Sequence, residues 1–133
     1  MTSQLNDFEQ KIFQTTGKNL SCQSLNTFQI NVGIRCNQTC SHCHHDASPF
    51  RQEMMDWTTM KQILAITKQY SNAFIDITGG APELHPQLQE FIQNLRTQHH
   101  MVQVRTNLTL LSTPEMKKLI TFFKKNNVHL VAS

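Results

Sequence analysis

Three cysteines, Cys36, Cys40 and Cys43, fall within eight residues at the spacing C-x3-C-x2-C, with His42, His44 and His45 interleaved and following. Thiols packed this densely into a polar segment (Asn37, Gln38, Thr39, Ser41) have no packing reason to be there, so they read as a ligand cluster. Four thiolates saturate a four-iron cluster, whereas three leave one iron open to a small molecule, which is the difference between an electron carrier and a catalyst. A structural zinc site takes four ligands, usually as two pairs. One of the nearby histidines could supply a fourth, so zinc stays open as a second reading; the lack of a second cysteine pair counts against it. Cys22, alone in a polar stretch, reads as an ordinary thiol.

A second unusual segment is Gly79-Gly80-Ala81-Pro82-Glu83. On its own a glycine pair of this kind is a tight turn as readily as a ligand cradle. His44, His45, His99 and His100 read as surface residues, because neutral histidines are common on polar segments.

The elements that must position these residues follow from hydrophobic periodicity. Leu5, Phe8 and Ile12 have helical spacing, giving a short lead-in helix with a packing role that ends near Gly17. Phe28, Ile30 and Val32 alternate with Gln29 and Asn31, the period of a strand. After the cysteines, Asp56 caps a helix bearing Met60, Ile63 and Leu64 that runs to about Tyr70. A strand over Ala73 to Thr78 leads into the glycine pair, and His85-Pro86 opens a helix with Leu88, Phe91, Ile92 and Leu95 on one face. A strand from Met101 to Arg105 ends at Thr106-Asn107-Leu108-Thr109. Thr113-Pro114-Glu115 starts a helix with Met116, Leu119, Ile120 and Phe123 aligned, and Val128 to Ala132 is a fourth strand.

Strands alternating with helices imply a parallel sheet with right-handed crossovers, so the cysteine loop, the glycine turn and the Asn107 loop share the C-terminal edge where such folds build their sites. Polar residues at alternate strand positions (Gln29, Asn31, Asp76, Thr78, Gln103, Arg105, His129) exclude a sheet buried on both faces. The expected fold is therefore α/β, a partial (β/α) barrel with about four parallel strands and three helices plus the N-terminal helix, one sheet face lining a wet or ligand-filled cavity. Residues 1–26 form the helix and linker, and residues 27–133 the core.

Composition bounds the partners. At 133 residues the chain is one domain at most, and its 12 Lys+Arg against 9 Asp+Glu are scattered, which argues against nucleic acid or an anionic membrane surface. No apolar run approaches the roughly 18 residues of a membrane span, and the N-terminus has no charged start followed by an apolar stretch. The expected setting is the cytoplasm, where thiols stay reduced.

Cys36-x3-Cys40-x2-Cys43 after a first strand, with Gly79-Gly80 after the second, resembles the radical S-adenosylmethionine (radical SAM) superfamily. More narrowly, Phe-Gln-Ile-Asn-Val-Gly (28–33), Cys-Asn-Gln-Thr-Cys-Ser-His-Cys-His (36–44), Thr-Gly-Gly-Ala-Pro-Glu-Leu (78–84) and Asn-Leu-Thr (107–109) are similar to its arsenosugar-biosynthesis branch, over most of residues 20–133. The resemblance implies that Cys36, Cys40 and Cys43 hold a [4Fe-4S] cluster whose open iron is chelated by S-adenosylmethionine, and that an external electron donor drives reductive cleavage to methionine and a 5′-deoxyadenosyl radical. It implies that His42 takes the usually aromatic position beside the last cysteine, and that Gly79 and Gly80 let the backbone approach the methionyl amino group. It further implies that Glu83, Asn107 and Ser133 face the cofactor, Glu83 displaced from the common Gly-Gly-Glu by Ala81-Pro82. Some members of the branch have cysteine where this chain has Thr106. The substrate implied is a small molecule, a methylated trivalent arsenical. The family's barrel has six strand-helix units, so the expectation is a truncated core, not active alone, completed by a second chain or by the rest of a longer protein. The other reading is a non-catalytic iron-sulfur or zinc-binding module.

Overall fold

A computed structural model describes residues 6–22 and 24–132, so Ser133 lies outside the described residues. Four strands, β1 (Thr27–Asn31), β2 (Phe74–Thr78), β3 (Met101–Thr106) and β4 (His129–Ala132), form one sheet in the order β1-β2-β3-β4, every neighbouring pair parallel. The register places Ile30 beside Ile77 and Ile77 beside Val104, so one face is a continuous apolar row. Helices α2 (Trp57–Thr67), α3 (Leu88–Thr97) and α4 (Lys117–Lys125) supply Met60, Leu64, Leu88, Phe91, Ile92, Leu95, Leu119 and Phe123 to the same core as Ile30, Ile75, Ile77, Val102 and Val104. Each such fully buried side chain contributes about 1.5–3 kcal/mol. The opposite face carries Gln29, Asp76, Gln103 and Arg105 in register. Helices on one face, a polar second face and strands in sequential order are the features of a partial β/α barrel, as the alternation predicts.

Local chemistry explains the boundaries. Asp56 caps α2 by accepting the Thr59 N–H at 2.7 Å, and this bond holds its carboxyl below the usual aspartate range. The lead-in helix α1 (Asp7–Thr16) has a capping box between Asn6 and Glu9 and ends on Gly17 in the left-handed conformation. No residue of α1 is buried, and Leu5, the first position of its apolar spacing, lies outside the described residues; the core is covered by α2, α3 and α4.

His85-Pro86 does not open α3. A 3-10 turn, Pro82–Leu84, comes first, and α3 begins at Leu88. The imidazole of His85 decides this: its Nε2 lies 2.8 Å from the Met55 carbonyl and its Nδ1 accepts the Gln87 N–H at 3.1 Å, fixing a bend ahead of the helix. Likewise a 3-10 turn, Pro114–Met116, precedes α4. His100 is 1 % exposed, contrary to a surface reading, with Nε2 3.2 Å from Gln98 Oε1 and its carbonyl accepting from Arg96.

Candidate functional site

Backbone pairing shapes the cysteine loop before any side chain does. Beyond β1, Val32 N–H donates to Thr78 O at 3.0 Å, and Ile34 N–H and Cys36 N–H donate to Glu53 O and Ser48 O at 3.0 and 3.1 Å. Residues 32–36 are thus paired with 48–55, and the chain between bulges out as a closed loop. On the other side of the same segment, Gly80 N–H donates to Gly33 O and Ala81 N–H to Arg35 O, both at 2.9 Å. This contact is so close that a Cβ on Gly79 would sit 2.5 Å from Gly33 O, and one on Gly80 would overlap Arg35 O; Gly79 also has a φ of +151°. The glycine pair is therefore required by the fit of the second turn against the root of the cysteine loop.

Side chains then tie the loop to the end of β3. Cys36 is 7 % exposed, and Asn107 Nδ2 donates to its Sγ at 3.6 Å and to Asn37 Oδ1 at 2.9 Å. Asn107 Oδ1 accepts from the N–H and hydroxyl of Thr109 at 3.0 and 2.8 Å, and Asn37 Nδ2 donates to the same hydroxyl at 2.7 Å. Cys43 Sγ accepts the Ala47 N–H at 3.4 Å. The outer flank is fastened by Arg51, paired with Asp46 at 2.9 Å and Glu53 at 3.0 Å. Glu53 is held below the usual carboxylate range by a backbone hydrogen bond and by Arg51.

These connections enclose a cavity of about 300 Å³ lined by Cys36, Gln38, Cys40, His42, Cys43, His44, His45, Ala47, Thr78, Gly79, Gly80, Arg105 and Asn107. Among the described residues, no three His, Cys, Asp or Glu side chains converge closely enough to hold a single metal ion. The thiols instead stand around a shared space.

The model for the radical SAM superfamily matches residues 30–132. The chain belongs to the radical SAM superfamily. It is also 29 % identical over 102 residues to the antilisterial bacteriocin subtilosin biosynthesis protein AlbA of Bacillus subtilis (strain 168), an alignment covering 74 % of this chain and 22 % of that protein. The chain thus spans less than a quarter of the length of the curated relative it matches.

Radical SAM proteins bind a [4Fe-4S] cluster and S-adenosylmethionine. The residues present fit these groups: three thiols around one cavity, N–H donors already directed at two of the sulfurs, and a side-chain-free glycine edge opposite them.

Of the residues singled out from the sequence of this radical SAM chain, Cys36, Cys40, Cys43, His42, Gly79, Gly80 and Asn107 meet at the cavity. Glu83 does not line it. It is 6 % exposed and accepts a hydrogen bond from the Thr106 hydroxyl through Oε1, while Oε2 has no partner. Cys22 is exposed and hydrogen-bonds locally to Ser24 O.

Arg105 belongs to the cavity wall of the radical SAM site although its residue type alone did not mark it. The signal was its place in the polar alternation of β3, two residues beyond Gln103, the register partner of Asp76. Arg105 Nε and Nη2 contact Asp76 at 2.8–3.1 Å, and Gln103 and Gln29 donate to the same carboxylate at 3.0 and 3.2 Å. These donors, Arg105 first, hold Asp76 below the usual aspartate range against the opposing effect of burial, and Asp76 in turn raises Arg105.

Proposed function

We propose that this chain supplies the cluster- and S-adenosylmethionine-binding part of a radical SAM enzyme whose substrate is a methylated trivalent arsenical. The observation that supports the first half is the meeting of Cys36, Cys40, Cys43, the Gly79-Gly80 edge and Asn107 on one cavity. The substrate half rests on the likeness of residues 28–33, 36–44, 78–84 and 107–109 to the arsenosugar-biosynthesis branch. When bound, the cluster and S-adenosylmethionine supply one-electron reductive cleavage of a sulfonium, with the electron from an external donor.

The chain's own residues bind and orient. Cys36, Cys40 and Cys43 would hold the cluster through three thiolates, one fewer than saturates it, so that S-adenosylmethionine could bind it directly. Gly80 N–H is committed to Gly33 O, so an amino group at that edge is received by carbonyl oxygens. Arg105, fixed by Asp76, presents positive charge to a carboxylate in the cavity. His42 closes the rim.

The printed name of the Bacillus relative favours a second reading of the substrate, a peptide undergoing modification during bacteriocin biosynthesis. The deciding experiment is anaerobic reconstitution followed by electron paramagnetic resonance with and without S-adenosylmethionine, then assay for 5′-deoxyadenosine with a dimethylated trivalent arsenical or a bacteriocin precursor peptide, supplying the remaining part of a full-length protein where one exists. About four irons and sulfides per chain and a spectral change on adding S-adenosylmethionine are expected. One zinc and no sulfide would sink the reading, and a cluster without spectral response would leave a non-catalytic iron-sulfur module.

A further inference from the structure

The amide of Asn107, a half-buried loop residue, has both its oxygen and its nitrogen engaged. Its Oδ1 accepts two bonds from Thr109, and its Nδ2 donates to Asn37 Oδ1 and to Cys36 Sγ. An asparagine placed only to line a ligand cavity would leave its donor free for the ligand. Here the donor is aimed at a thiol from a loop 71 residues away in sequence.

We propose that Asn107 is a positioning residue that donates a hydrogen bond to the Cys36 thiolate and so raises the reduction potential of the cluster bound by Cys36, Cys40 and Cys43. The inference rests on the assignment of those three cysteines as ligands. The physical reason is charge: one-electron reduction adds negative charge that spreads onto the cysteine sulfurs, and an N–H donor stabilises the reduced state more than the oxidised one. The Ala47 N–H does the same for Cys43 but is backbone and invariant to substitution, whereas Asn107 is a side-chain setting of the same kind. Because Asn107 stands at the end of β3 and Cys36 at the root of the first loop, the bond also couples cluster electronics to the spacing between two strand ends.

The test is the midpoint potential of the reconstituted chain, followed by electron paramagnetic resonance in an anaerobic titration without S-adenosylmethionine, for the unsubstituted protein, Asn107→Ala, Asn107→Asp and Asn37→Ala. Asn107→Asp keeps an oxygen for Thr109 and so preserves the turn while removing the donor. Both Asn107 variants are expected to reduce less readily, by about tenfold in the equilibrium constant, equivalent to about 59 mV for one electron, with Asp lowered further than Ala by its charge. Asn37→Ala is expected to keep the unsubstituted potential, since the donor to Cys36 survives. An unchanged potential in Asn107→Ala would overturn the proposal, as would an equal shift in Asn37→Ala, or failure of both Asn107 variants to take up iron, which would make Asn107 a folding residue. Absence of iron and sulfide in the unsubstituted protein would instead overturn the ligand assignment on which the proposal stands.

Discussion

Arg105 closes on Asp76 through both Nε and Nη2, at 2.8–3.1 Å, across the polar face of two adjacent parallel strands. Asp76 is 4 % exposed, while the Arg105 side chain is 41 % exposed on the cavity side. The pair therefore holds a charge at the cavity wall whose counter-charge is sunk into the sheet. Replacing Asp76 with Ala leaves Arg105 with no carboxylate and the two glutamines with no acceptor. The expected loss is about 2 kcal/mol of stability, below the range for a fully buried pair because Arg105 is partly solvated. Urea denaturation of Asp76→Ala against the unsubstituted chain measures it.

The same pair sets a pH dependence. The folded-state pKa of Asp76 is depressed, so its stabilising contribution is fully present above the unfolded aspartate value of about 3.9 and is lost as the pH falls through the lower folded-state value. Asp76→Asn should flatten the acid limb of the stability profile below about pH 4. An acid limb unchanged by the substitution would assign acid sensitivity to other carboxylates.

The glycine turn gives a contrast within one molecule. Gly80→Ala places a methyl group onto Arg35 O, a backbone atom that cannot swing aside, whereas Gly17→Ala meets nothing within 4 Å and is penalised only by its left-handed φ of +68°. Gly17→Ala should cost about 1 kcal/mol and leave iron uptake intact. Gly80→Ala should separate residues 79–81 from residues 33–35 and lose most of the iron bound on reconstitution, which iron and sulfide analysis will show.

Much of this architecture was legible in the sequence because it is local. Alternation at Phe28, Ile30 and Val32, the Asp56 cap and the left-handed stop at Gly17 each depend on neighbours within four residues. The polar alternation at Gln29, Asp76, Gln103 and Arg105 was enough to mark one sheet face as polar. What escaped reading depends on partners far away in the chain. The imidazole of His85 bends the entry to α3 by reaching Met55, and the need for glycine at residues 79 and 80 comes from Gly33 and Arg35. Glu83 has the same origin: nothing near it in sequence indicates that it turns toward Thr106.

The three loop cysteines and Cys22 separate ligand from bystander. Cys36→Ala, Cys40→Ala and Cys43→Ala should each abolish the four-iron cluster absorbance, because three thiolates leave no spare ligand. Cys22→Ala, outside the cavity, should reconstitute like the unsubstituted chain. Equal loss in Cys22→Ala would mean that the loop does not supply the ligand set.

Glu83 and Thr106 decide between a cofactor contact and a structural pin. Thr106 hydroxyl donates to Glu83 Oε1 and accepts the Leu108 N–H at 2.9 Å, so it links the 3-10 turn after the glycine pair to the loop that carries Asn107. Thr106→Val removes that donor and leaves a buried carboxylate with neither oxygen paired, a loss expected to be about 1–3 kcal/mol. Because the link holds two walls of the cavity together, Thr106→Val should also weaken S-adenosylmethionine binding while preserving iron uptake, since the three cysteines and the backbone pairing of residues 79–81 with 33–35 remain. Glu83→Gln supplies the discriminating measurement. As a pin, Gln keeps an oxygen for the Thr106 hydroxyl, and the spectral change on adding S-adenosylmethionine should need no more than a few-fold higher concentration. As a direct contact to the amino group, removal of the negative charge should raise that concentration at least tenfold with stability unchanged. The position of Glu83 outside the cavity lining favours the first outcome.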